Sequence, residues 1–129
     1  MTPEELRQRL AAFARDVTAF SRPLLASLET RDAALQLRRA ASSTAANHRA
    51  AGRGRSHAEF TAKIGIALEE GDETLFWLEH LRDCGLAGTM AIDPLIQEAR
   101  ELVAILTASN STARSRQRHQ SARRRSDRR

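Results

Sequence analysis

The sequence holds almost nothing that could form a covalent cross-link: among 129 residues, Cys84 is the sole cysteine. An intramolecular disulfide is excluded, and a single thiol fits a reducing compartment. Long apolar runs are also missing; the longest are a few residues, far short of the ~20 that a membrane helix needs. The opening residues, Met1-Thr2-Pro3-Glu4-Glu5, are acidic and offer neither a basic n-region nor an apolar h-region, so no signal peptide is expected. A soluble, cytoplasmic protein without membrane contact follows as the expectation. No segment alternates with period two, which argues against strands. No Glu-x-x-His pair occurs, although a carboxylate-bridged metal site in a helical bundle needs such pairs. No dinucleotide loop is present either, since Gly52-x-Gly54 follows a helical pattern rather than a strand.

What is present is charge, unevenly spread. The chain carries 21 basic and 16 acidic side chains, a net charge of +5. Residues 109–129 hold eight of the arginines and one acid, Asp127, which leaves residues 1–108 slightly acidic. Two regions are therefore expected: a body over 1–108 and an arginine- and serine-rich tail over 109–129. A body of that length can bury roughly 60 % of its unfolded surface, enough for one core. The tail has no large apolar residue, and the expectation for it is disorder.

Within the body the apolar spacing is helical. Thr2, Pro3 and Glu5 make a capping box with proline at the first helical position. Leu6, Leu10, Phe13, Val17, Phe20 and Leu24 follow at intervals of four and three, a heptad seam. Pro23 should kink or break it near Arg22. A second helix is expected from about Arg31 to Ala51, after a connection at Glu29–Asp32, with Leu37, Ala41, Thr44, Ala45 and His48 facing inward. Gly52-Arg53-Gly54-Arg55 ends it. Ser56-x-x-Glu59 caps a third helix whose stripe of Phe60, Ile64, Ala67, Leu68, Leu75, Leu78 and Leu81 runs to Gly85, a glycine placed to terminate it. Ile66, Phe76 and Trp77 lie off that stripe, so this helix has more than one apolar face. Asp93 and Pro94 open a fourth helix with Leu95, Ile96, Ala99, Leu102, Val103 and Leu106 inward. The expected architecture is an all-α, antiparallel up-down four-helix bundle with a disordered C-terminal tail.

Several quoted motifs carry a resemblance. Gln36-Leu37-Arg38-Arg39-Ala40-Ala41-Ser42-Ser43 with Asn47, then Arg55-Ser56-x-x-Glu59-Phe60, Ile66-Ala67-Leu68, Glu73 and Trp77-Leu78 resemble the family of proteins encoded in 23S rRNA intervening sequences. This S23 family includes the accessory variability proteins of diversity-generating retroelements. The resemblance is close over about residues 33–86 and rests on pattern alone in the first and fourth helices. It implies a four-helix bundle assembled as a homopentamer. It also implies a non-enzymatic accessory role, binding RNA or DNA and a partner reverse transcriptase. The matching positions are Arg38, Arg39, Asn47, Arg55, Glu59 and Glu73, with all but Arg55 expected to be structural. Where the family reads Asn-Ile-Ala-Glu-Gly, this chain has Asn47-His48-Arg49-Ala50-Ala51. An acid is lost and positive charge gained near the turn.

The residues point to phosphate as the ligand chemistry. Arg114, Arg116, Arg118, Arg123, Arg124, Arg125, Arg128 and Arg129 can pair with a polyanion. No aromatic residue accompanies them, so base stacking and sequence readout are not expected. A purely solubilising tail is the competing reading. Arg49, Arg53 and Arg55 are further phosphate candidates, whereas Arg38 and Arg39 are expected to pair with Glu59, Glu73 or other carboxylates. Phe76 and Trp77 are candidate oligomer contacts. His80 and Cys84 share a helical face but lack a third metal ligand, so Cys84 is expected to be buried as a small hydrophobe and no metal or cofactor is assigned. The alternative function is a protein-interaction scaffold with no nucleic-acid role.

Overall fold

A computed structural model describes residues 1–129 and contains four helices and no strand: α1 (Pro3–Ser21), α2 (Leu28–Ala51), α3 (His57–Asp83) and α4 (Asp93–Asp127). The capping box at Thr2 forms in full, with the threonine hydroxyl accepting from the Glu5 amide and the Glu5 carboxylate accepting from the Thr2 amide. Pro23 acts as expected. It ends α1 at Ser21, and the chain tightens into a 3-10 segment over Arg22–Ala26. α2 begins earlier than the sequence suggests, because Ser27 is extended and the residues expected to form a connection, Glu29–Asp32, are its first turn. Thr30 closes this junction by donating to the Leu24 carbonyl at 2.6 Å.

At α3 the Ser56 hydroxyl accepts from the Glu59 amide, so half of the expected capping box is made. Gly85, at φ +67°, ends the helix in the left-handed region. Leu86 then donates to Leu81 and Gly85 to Arg82, the paired bonds of a Schellman motif. Ile92, not Asp93, occupies the N-cap of α4, without a side-chain cap, and Pro94 lies within the first turn.

Contacts between neighbours run in opposite order along the chain. Arg38 of α2 reaches the Thr18 carbonyl near the end of α1, while Arg7 and Arg49 share a cleft at the other end. Along α3 and α4, His57 meets Ala113, Gly71 faces Leu106, and Glu79 meets Arg100. α2 and α3 form the most extensive pair, whereas α1 touches α4 over a short stretch. There Arg9 pairs with Glu98 and Glu101, and its hydrogen bonds hold the Glu98 carboxyl below the usual range despite partial burial.

The core is one cluster drawn from all four helices, centred on Leu10, Leu37, Leu78, Leu81, Ile96 and Leu106. The inward face of α2 is small, with Ala33, Ala34, Ala40, Ala41 and Thr44 buried, which lets α3 approach closely. No helix is long and apolar enough to cross a membrane.

The expected disordered tail is instead the second half of a helix. α4 is 35 residues long and runs unbroken through the boundary at residue 108 to Asp127. Ala113 is buried, and its carbonyl lies 2.8 Å from the His57 ring nitrogen, so tertiary packing holds the helix past the last large apolar residue. Beyond it no glycine or proline occurs, and alanine, arginine and glutamine favour the helix. Extending an existing helix adds a hydrogen bond per residue without a new nucleation cost. Missing hydrophobic burial alone therefore does not make the segment disordered.

Candidate nucleic-acid interface

The arginines of α4 come to the surface in a fixed geometry. At 3.6 residues per turn, Arg114, Arg118 and Arg125 fall within about 40° of one another. They line an open groove whose opposite wall is the Ala58, Thr61, Ala62 and Gly65 face of α3, with Glu69 at its edge. Arg116, Arg123 and Arg124 point off that face by about 80° or more. Arg128 caps the helix and Arg129 follows it. None of these eight arginines holds a carboxylate within the chain. All eight are exposed.

A second basic surface lies between α1 and α2. Arg7, Arg49 and Arg53 meet at one end of this groove, beside His48 and the first residues of α1. Arg7 and Arg49 continue along it with Arg15, over a floor that includes Ala11, Ala45 and Ala46. Arg15 leads on to Arg22, past Ala14 and Ser42. Arg49 and Arg53 are among the phosphate candidates expected from the sequence; Arg7, Arg15 and Arg22 are not. Their spacing of eight and seven residues, which returns to one helical face, was the available signal. Arg55, the third expected member, is exposed in the turn and does not line the groove.

His48, which stands where the family carries an apolar residue, is 9 % exposed, and its Nδ1 is buried without a hydrogen-bond partner. Burial, and then the nearby Arg7 guanidinium, push its pKa below the ordinary histidine value.

The motif residues divide as follows. Arg39 pairs with Glu70 and Glu73, tying α2 to α3 and lowering the Glu73 pKa. Arg38, expected on a carboxylate, instead donates to the Thr18 carbonyl and the Ser21 hydroxyl, which fastens α2 to the end of α1. Asn47 donates to the Ser43 carbonyl and hydroxyl one turn back. Glu59 sits in the first turn of α3, where an acid complements the helix dipole.

Phe76 is 55 % exposed and lies edge-on to Trp77, with centroids 5.0 Å apart. Trp77 is half-buried against the core. His80 stacks on Phe76 at 5.8 Å. Cys84 is exposed beside His80, not buried as expected, because it lies at the C-cap where the chain leaves the bundle. No three His, Cys, Asp or Glu side chains converge as a metal cluster.

Taken together, these features define an all-α bundle with two arginine-lined surfaces and one partly exposed aromatic cluster. The chain belongs to the 23S rRNA-intervening sequence protein family, whose sequence profile matches residues 5–108. The match stops short of the arginine-bearing half of α4. A crystal structure of a protein of unknown function from the S23 ribosomal protein family of Bacteroides thetaiotaomicron is similar in fold. It is 24 % identical with a TM-score of 0.76, over 86 % of this chain and 99 % of that one. No curated protein matches the chain.

Proposed function

We propose that this protein is a non-enzymatic, homo-oligomeric binder of nucleic acid that engages RNA or DNA through phosphate. The observation that carries the reading is the arginine-bearing half of α4: eight exposed arginines with no carboxylate partner in the chain. Unpaired guanidinium groups gain most from a polyanion, because no internal ion pair must first be broken. The absence of aromatic residues beside them favours contact without sequence preference. The resemblance within the family favours a pentamer, which would present five such arms and multiply weak contacts. The same resemblance points to a role beside the reverse transcriptase of a diversity-generating retroelement.

A protein-interaction scaffold is the second reading, and the exposed Phe76 favours it, since an apolar side chain in that position suits a protein contact. The two readings separate in one titration. Full chain and a chain ending at Ala113 are mixed with single-stranded RNA and DNA at several salt concentrations. Nucleic-acid binding requires measurable affinity at low salt, and the shortened chain should show a flatter salt dependence. Absence of binding by the full chain leaves the scaffold.

A further inference from the structure

We propose that the groove between α1 and α2 is a second, separate site, a track for the phosphodiester backbone of single-stranded nucleic acid held by Arg7, Arg15, Arg22, Arg49 and Arg53. The inference rests on the nucleic-acid reading and assigns to it a surface that the α4 arm does not include.

Three observations converge on it. The five arginines line overlapping stretches of one groove, with Arg7 and Arg49 common to its first two stretches and Arg15 common to its second and third. Among them Arg7 alone has a carboxylate partner, Glu4, at an exposed position. The side chains of Arg15, Arg22, Arg49 and Arg53 make no hydrogen bond or ion pair within the chain, although the bundle contains acids that neutralise Arg9, Arg39, Arg82 and Arg100.

The second observation concerns shape. From Arg7 to Arg22 the groove runs about 22 Å along α1 at 1.5 Å per residue. Adjacent helix axes lie roughly 8–10 Å apart, so the furrow between them can take one extended backbone along its length, whereas a duplex could present only one of its two strands to it. Its floor includes Ala11, Ala14, Ala45 and Ala46, which allow a chain to lie close while arginines rise on both sides.

The third lies at the Arg7 end. His48 is nine-tenths buried at that end, with an unsatisfied Nδ1. The imidazole nitrogen is closed to solvent, so the groups offered to a ligand at this end are the guanidinium groups of Arg7, Arg49 and Arg53. That end of the bundle is also where the arm starts, because Arg53 precedes His57 by four residues and His57 packs on Ala113. A strand leaving the groove at Arg53 emerges at the end of the bundle where the arginines of α4 begin.

The test uses the full chain and a single-stranded oligonucleotide of roughly twelve nucleotides carrying a photoreactive base, a length within the range of single-strand sites. Arg15→Glu with Arg22→Glu reverses two charges in the groove. Arg31→Glu with Lys63→Glu makes the same change in net charge elsewhere, and circular dichroism checks that both variants fold. At low salt the groove variant should bind at least about tenfold more weakly, as expected from losing two phosphate contacts, with the control within about threefold of the unaltered chain. Cross-links to peptides of α1 should disappear in the groove variant while those to α4 persist. Equal losses in the two variants, or cross-links confined to α4, would overturn the track and leave the α4 reading standing. A duplex weakened as strongly as the single strand would overturn the choice of ligand. If the unaltered chain does not bind at all, the broader reading fails and this one with it.

Discussion

Because α4 stays helical to Asp127, its arginines should not contribute equally to binding. The perturbation is a pair of triple variants that remove the same charge from different faces. One replaces Arg114, Arg118 and Arg125 with alanine, and the other replaces Arg116, Arg123 and Arg124. The first set shares the face that lines the groove with α3. Each phosphate contact to a single strand contributes a slope of about −0.7 to log affinity against log salt, so three contacts supply about −2. Between 50 and 200 mM salt, those three contacts account for a loss of roughly twentyfold in affinity. Removing them should flatten the salt response by that factor, measured by fluorescence anisotropy with a labelled single strand. The second triple should keep nearly the whole response. Both variants gain helix propensity from alanine, so neither loses the arm by unfolding it. If the two triples flatten the response equally, the arm acts as a flexible cloud of charge and the helical geometry has no bearing on binding.

Further outcomes follow from the packing. On the proposed homo-oligomeric reading, the unaltered chain should assemble and replacing Phe76 or Trp77 with glutamate should dissociate it while helix content is kept; multi-angle light scattering checks this, and a monomeric unaltered chain or an intact variant assembly refutes it. Phe76 is the cleaner position, since its exposed ring contributes little to the core. Gly71→Ala should stabilise the fold by about 0.5–1 kcal/mol, because alanine is the better helix former. The added Cβ would meet Leu106, Thr44 and Val103 at ordinary contact distances of 3.5–3.6 Å. Thermal denaturation gives the sign, and a lowered midpoint would mean that the interhelical gap is tighter than it looks. His48 has a folded-state pKa below its unfolded one, so the unfolded chain takes up the proton first. Its neutral burial therefore contributes fully above pH 6.5, and stability falls as pH drops through that value and below. His48→Leu should flatten that part of the pH–stability curve; an unchanged curve would assign the acid sensitivity to other groups.

The bundle was legible in the sequence because its signals are local and redundant. Thr2, Pro3 and Glu5 fix the start of α1, Pro23 fixes its end, and Gly85 stops α3, each through backbone chemistry that acts within one turn. The inward stripes followed from spacing, with Ile64, Ala67, Leu78 and Leu81 of α3 all buried. Two misreadings share a cause, which is the inference of local order from apolar content. Glu29–Asp32 and residues 109–127 are polar, yet the first segment forms the opening turn of α2 after the extended Ser27, and the second extends α4, whose hydrogen bonds are already running. Cys84 is exposed although cysteine is a commonly buried residue type, because it lies at the terminus of α3. Arg38 is not legible in the same way, because its partners, the Thr18 carbonyl and the Ser21 hydroxyl, lie at the broken end of α1 and carry no charge signal.

The candidate site was only half legible, since a binding surface is defined by which charges remain unanswered after folding. Arg9 and Arg15 both lie on α1, six residues apart, and their sequence surroundings do not distinguish them. Folding brings Arg9 to Glu98 and Glu101, where its charge is consumed in holding α1 against α4. Arg15 reaches no acid and lines the groove with Arg49. Arg39 is likewise taken up by Glu70 and Glu73, whereas Arg49, ten residues further along α2, stays free. The acids of α3 and α4 thus answer the arginines of one region and leave another region positive. The slightly acidic body hides this asymmetry in its net charge, because its carboxylates and the unpaired arginines of α1 and α2 do not face one another. A polyanion meets the local field, and near the turn between α2 and α3 that field comes from Arg53, Arg55 and the first arginines of the arm.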